Sequence, residues 1–283
     1  MKIARLCASL LILIACSHQQ VDQSAAAQKG RFKKVILIVL ENTDAAEALH
    51  QPFLAELVQR GALLTDMNGE AHPSQPNYVA MIAGDTMGVT GDDNVDLPGK
   101  SLADLMQEKG RTWKNYAEGY PGKCYLLPTT GRFVRRHVPF LSFQNVTTNP
   151  KKCANIVDGK QFDIDLKNHS LPDFSFYTPD LDNDGHDTTP HYADRFMERR
   201  FGTLLRDENF TRDHLFIVTF DESESYAHNH IYTVLVGGKV IPKSTAPTYL
   251  NHISILRMME NEWDLGSLHR KDETASTPEG IWR

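Results

Sequence analysis

The sequence predicts an α/β fold, a mostly parallel central sheet sandwiched by helices. Two observations carry that expectation. Four short apolar runs read as buried strands, and two of them are continuously apolar, as strands covered on both faces are. Segments with a near-3.6-residue apolar period lie between them, and strands alternating with helices build a sheet with helices on its faces. At 283 residues, 41% hydrophobic and 23% charged, the chain can bury a substantial core as one domain.

From the N-terminus, Met1 to Arg5 is a short positive stretch and Leu6 to Ala15 is apolar but too short to span a bilayer. This reads as a secretory signal. Leu13-Ile-Ala-Cys16 resembles a bacterial lipobox, in which Cys16 carries the lipid; an ordinary signal cut nearby is the alternative. The expected organisation is a lipoprotein-type signal over 1–15, a flexible tether over 16–32 and a single domain over 33–283. The expected location is the bacterial cell envelope, anchored to membrane through the N-terminus, or the medium. A formal net charge of −6 argues against nucleic acid as a partner. If the signal cysteines are processed, Cys124 and Cys153 remain. In an oxidising compartment they are expected to form a disulfide, two unrelated thiols being the other reading.

The strands are expected over Lys34–Glu41, Phe174–Tyr177, Leu215–Asp221 and Ile231–Val236. Helical periods run over Ala45–Arg60, Leu102–Lys109 (stopped by Gly110), Tyr192–Leu205 and Ile253–Trp263. Lys271–Arg283 reads as a loosely held tail. In open α/β sheets functional residues gather beyond the carboxyl ends of the strands. Three of these ends deliver carboxylates: Glu41-Asn42, Asp180 with the loop that follows it, and Asp221-Glu222. Like charges gathered at one edge repel unless a cation sits among them.

The loop Asp180-Leu-Asp-Asn-Asp-Gly-His-Asp-Thr-Thr-Pro-His191 opens like a calcium loop. Its twelfth residue is His191, however, where such a loop needs a bidentate Glu. A second segment, His72-Pro-Ser-Gln-Pro-Asn-Tyr78, precedes a small apolar helix-prone run, Val79–Gly84. Ser74 would sit just before a helix N-terminus, where N–H groups favour an anionic oxygen. A plain N-cap serine is the bland alternative.

Taken together, "VLEN" (39–42), "HPSQPNY" (72–78), "PDLDNDGH" (179–186), "TFDE" (219–222) and "NHISILR" (251–257) resemble, in that order, the phosphoesterase family. This family holds secreted acid phosphatases and bacterial phospholipases C, within the alkaline phosphatase superfamily. The resemblance runs from about Lys34 to about Trp263. It implies an alkaline-phosphatase-like sheet, Ser74 as nucleophile and Asn77 as a phosphate contact. It implies Glu41, Asn42, Asp221 and Glu222 as metal ligands, with Asp180, Asp184 and His252 as further candidates. His186 would protonate the leaving group. Arg136 and His137, in a stretch similar to one in family members, would line the substrate mouth. The site is richer in oxygen than that of the two-zinc relatives. One or two divalent ions, with magnesium, manganese, calcium or zinc not resolved, would serve. The expected activity is hydrolysis of phosphate monoesters on a small molecule or lipid head group through a phosphoserine. A phosphodiesterase or phospholipase C is the alternative enzyme, and a calcium-stabilised, non-catalytic surface lipoprotein the alternative of another class.

Overall fold

A computed structural model describes residues 30–226 and 228–283. The signal, most of the tether and Cys16 lie outside the described residues. The main sheet has eight strands: β1 (Lys34–Leu40), β2 (Ala62–Leu64), β3 (Trp113–Ala117), β4 (Ile156–Asp158), β5 (Phe174–Thr178), β6 (His214–Phe220), β7 (Thr233–Gly237) and β8 (Ser244–Ala246). Their order across the sheet is β8-β2-β7-β6-β1-β5-β3-β4. All neighbouring pairs are parallel except those of β7, which runs antiparallel to both β6 and β2. The predicted fold class therefore holds, with one antiparallel strand inside the sheet.

β1 and β6 are buried along their length after the first residue. That is why neither shows the in–out alternation of a half-exposed strand. Both faces are covered by helices: α1 (Pro52–Arg60), α2 (Ser74–Ala83), α3 (Leu102–Glu108), α4 (Pro190–Arg206) and α5 (His252–Trp263). The expected helix over 45–60 is two pieces. A short Ala45–Leu49 helix stops at His50, and Pro52 opens α1, since the residue before a proline is pushed out of the helical region. α2 is buried at every position. It packs against α5, and its Tyr78 meets Phe176 of β5 and Glu41 at the end of β1, which leaves no polar face to give it a period.

Cys124 and Cys153 are joined in a disulfide, with their Cα atoms 5.7 Å apart. The C-terminal stretch is not a loose tail. Asp272 and Ile281 are fully buried, Ile241 N–H donates to Ile281 O, and Arg283 N–H donates to Lys239 O. Trp282 packs beside Phe32, with Arg31 over its ring at 4.8 Å. Two large apolar residues in a polar tail suffice when the loop between β7 and β8 offers them backbone partners at Lys239 and Ile241. Among the described residues no helix is long and apolar enough to cross a membrane.

Candidate active site

β5, β1 and β6 are neighbours at the centre of the sheet, so the three acidic strand ends meet. The backbone stitches them together. Glu41 N–H donates to Asp184 O and Asp221 N–H donates to Leu40 O, each at 3.0 Å. Asn42 turns the chain with a positive φ of 49°, which asparagine tolerates better than most residues, and its N–H donates to Asp221 Oδ1 at 3.2 Å. On the third side, Gly185 takes φ 103° between Asp184 and His186. An added Cβ there would meet Ala193 Cβ at 3.4 Å and Glu41 O at 3.6 Å. Those contacts are ordinary, so it is the positive φ, rarely adopted by residues with a Cβ, that calls for the glycine of the "NDGH" sequence.

Ser74 is the first residue of α2, after a Pro73 N-cap, one step further into the helix than expected. It is buried. Its Oγ lies 3.1 Å from Glu41 Oε2 and 3.2 Å from Glu222 Oε1. One hydroxyl proton cannot serve both carboxylates at once, so a base for that proton is already in contact. Glu41 also accepts from the Tyr78 hydroxyl through Oε1. Tyr78 in turn stacks on His137, centroids 4.9 Å apart and planes 7° apart.

His137 departs from its expected place at the substrate mouth. It is fully buried, with Nε2 3.5 Å from Glu41 Oε1 and Nδ1 3.4 Å from Asp184 Oδ2. Glu41, His137 and Asp184 form a buried trio spaced to hold a metal ion. Asn42 Oδ1, Asp184 Oδ2, Asp221 Oδ2 and both ring nitrogens of His137 are buried without a hydrogen-bond partner. Five such atoms in one place suit a bound cation, because buried polar atoms are otherwise paired. The donor set fits a divalent ion and is dominated by hard oxygen.

The electrostatics agree. Burial first, then the charges of Asp221 and Asp184, holds the Glu41 carboxyl well above its ordinary range. Burial likewise raises Asp184 strongly and lifts Asp221 to about 7. Burial, then the charge of Asp221, takes Glu222 to about 8. His137 is pushed well below its ordinary value, first by burial and then by the charges of Arg136 and His186.

Three predicted residues have other tasks. Both Asn77 amide hydrogens are spent on Ala71 O and Pro73 O, while its Oδ1 accepts from Glu70 and Ala71 N–H. It knots the 70–73 loop and has nothing left for a phosphate. Asp180 Oδ1 accepts from the N–H groups of Asp182 and Asn183, so it shapes the turn and Asp184 is the residue that faces the cluster. His252 opens α5 and its Nε2 donates to Asp221 O at 2.7 Å. It braces a carboxylate-bearing strand end through the backbone, neutral because burial lowers its pKa to about 4.

At the rim, His186 Nδ1 lies 2.6 Å from Asp187 Oδ1 and its Nε2 lies 3.3 Å from Arg136 Nη2. His72 also reaches the site, its Nδ1 against Glu222 Oε2, with the exposed Tyr226 ring 4.3 Å away. His72 and Tyr78 are not among the site residues expected from the sequence. Their signal was adjacency to Ser74 in the "HPSQPNY" segment.

The phosphoesterase family model matches residues 45–266, which takes in Ser74, His137, Asp184 and both carboxylates of the third strand end. The chain belongs to the phosphoesterase family. It is 38% identical over 252 residues to a phosphate-repressible acid phosphatase of Penicillium chrysogenum, covering 85% of this chain and 61% of that protein. It is 31% identical over 266 residues to a phosphatidylinositol-3-phosphatase of Mycobacterium tuberculosis, covering 92% and 86%. The chain thus spans about three fifths of the length of the Penicillium relative. A solved structure of an alkaline phosphatase superfamily protein from Vibrio parahaemolyticus superimposes with a TM-score of 0.59 at 13% identity, over 87% of this chain and 70% of that one. That likeness speaks to the fold, and it agrees with the alkaline-phosphatase-like sheet expected from this phosphoesterase sequence.

Proposed function

We propose that the chain is a metal-dependent hydrolase of phosphate monoesters that works through a phosphoserine at Ser74. The observation that carries this is the Ser74 hydroxyl, at a helix N-terminus, held between Glu41 and Glu222 beside a set of unpartnered buried ligand atoms. The naming of its relatives as acid phosphatases and a phosphatidylinositol phosphatase supports the substrate class.

Glu41, Asn42, Asp184, Asp221, Glu222 and His137 would hold the ion or ions. A bound divalent ion would offset the carboxylate charge, favour the serine alkoxide and neutralise a phosphoryl oxygen. The protein's own groups do the rest. Ser74 Oγ forms the bond to phosphorus, its proton passing to Glu222 Oε1 as the ester P–O bond breaks. Arg136 at the rim steadies the phosphoryl group by a charge-assisted hydrogen bond. His186, with Nδ1–H held by Asp187, delivers a proton from Nε2 to the leaving oxygen, which requires Arg136 to swing off that nitrogen. Water then attacks the phosphoserine, the proton path runs in reverse, and phosphate leaves.

The finer location, a lipid anchor at Cys16 on an exported protein, is part of the same proposal and rests on the N-terminal sequence alone. The deciding experiment is phosphate release from a chromogenic monoester with added divalent ions, Ser74→Ala against wild type. Loss of about four orders of magnitude in the variant supports the phosphoserine route. Equal rates would make a water molecule the nucleophile and Ser74 a helix residue only.

A further inference from the structure

Asp92 lies in the acidic run Gly91-Asp-Asp-Asn-Val-Asp96, in the long connection between α2 and α3, far in sequence from every strand end. Its Oδ1 accepts the Gln75 backbone N–H at 3.0 Å. Its Oδ2 lies 3.6 Å from Arg136 Nε. Gln75 directly follows Ser74, and Pro76 has no N–H to offer, so the Gln75 N–H is a scarce donor in the first turn of α2. The carboxylate therefore rests on a helix N–H beside the serine and on the rim guanidinium. These are two of the donors that an anionic oxygen bound to Ser74 would seek. Asp92 is also near the site in electrostatic terms. Burial and Asp221 do most to raise the Glu222 carboxyl, and the Asp92 charge adds to them. Arg135 holds the other end of the run through Asp96 Oδ1 at 2.7 Å and Val95 O at 3.1 Å. Adjacent arginines thus clamp the acidic run over the mouth, one buried and structural, the other at the rim.

We propose that the Asp92 carboxylate stands in for a phosphoryl oxygen, competing with bound anions for Gln75 N–H and Arg136. The inference rests on the phosphoesterase reading of the Ser74 site. A competing internal carboxylate weakens the hold on the product phosphate as well as on substrate, and so favours release after the phosphoserine is hydrolysed. When an anion displaces it, the freed Arg136 is also free to leave His186 Nε2.

The test is calorimetric titration of inorganic phosphate into the full, metal-loaded chain as wild type, Asp92→Asn and Asp92→Ala. Asparagine keeps the acceptor for Gln75 N–H and removes only the charge. Both variants should bind phosphate about fivefold more tightly, the weight of one partly exposed ion pair, and KM for a monoester should fall with the dissociation constant. Asp92→Asn should melt with the wild type. Unchanged or weaker phosphate binding in Asp92→Asn overturns the proposal, and a lowered melting temperature confined to Asp92→Ala would then make Asp92 a distant helix cap. Turnover on the same samples separates the two readings. Tightened phosphate binding without any monoester hydrolysis by the wild type would sink the phosphatase reading and leave the competition by Asp92 standing.

Discussion

Replacing Tyr78 by phenylalanine tests how the proposed metal ligands are held. The Tyr78 hydroxyl donates to Glu41 Oε1, and the ring stacks on His137, so the change removes one hydrogen and oxygen from a fully buried place and keeps the stacking. Without metal, burial and the neighbouring charges of Asp221 and Asp184 favour the neutral form of Glu41, and a hydrogen bond to the neutral form is worth about 1 kcal/mol. With metal, Glu41 must be ionised to act as a ligand, and the lost bond is charge-assisted, about 1.5–3 kcal/mol. The difference of about 0.5–2 kcal/mol is lost from metal affinity, roughly two- to thirtyfold, which overlaps the range known for outer partners of metal ligands. Competition with a chromophoric chelator measures the affinity, and melting curves with and without metal measure the two stabilities. A variant that loses stability equally in both forms, with metal affinity within a factor of two of wild type, would refute the argument that Tyr78 serves the ionised form of Glu41.

Asn77→Ala should lower stability by about 3 kcal/mol, because four hydrogen bonds that hold the 70–73 loop go at once; a raised KM with unchanged unfolding would restore it as a phosphate contact. Glu260 is buried with Oε1 unpartnered, and burial, then the charge of Asp272, lifts its pKa from 4.5 to about 8. The raised folded value means its contribution is fully present below about pH 4.5 and is lost as the pH rises through about 8. Glu260→Gln should therefore gain on the order of 1–2 kcal/mol over wild type at pH 7.5, and little at pH 4.5, in urea unfolding. Serine at both Cys124 and Cys153, whose loop spans 29 positions, should cost about 3.5 kcal/mol by loop entropy in the same assay. Ile281→Ala should cost about 2–4 kcal/mol, since the side chain is fully buried; a loss under 0.5 kcal/mol would return the C-terminus to a loose tail.

The sheet was legible because its central strands are buried on both faces, so Val35–Leu40 and Leu215–Phe220 announce themselves as unbroken apolar runs. The acidic strand ends were legible for the same reason, since a strand's last apolar residue points to the first functional one. The direction of β7 was not, because burial pattern is the same for parallel and antiparallel strands. Within the site, the sequence separates residues that the fold joins. His137 comes from a turn between β3 and β5 and reads as part of a basic loop, yet the stacking of Tyr78 draws it to the centre. Asn77, Asp180 and His252 went the other way. Each is close to the site in sequence, and each is engaged with backbone groups: Asn77 through its whole amide, Asp180 through Oδ1 and His252 through Nε2. Short polar side chains at helix and loop starts do both jobs, and only the count of hydrogen bonds tells them apart.

The two ends of the domain meet. Glu262 Oε1 accepts from the N–H groups of Gly30 and Arg31, and Trp282 closes over Phe32. This junction lies at the amino end of β1, while Glu41 and Ser74 lie at its carboxyl end, seven residues on, or roughly 23 Å away at the rise of a strand. Whatever grips the chain upstream of Gly30 therefore grips the pole opposite the mouth. A leash to a bilayer would hold the Ser74 end outward, toward solution, and only a leash long enough to let the domain turn over would bring that same surface within its reach.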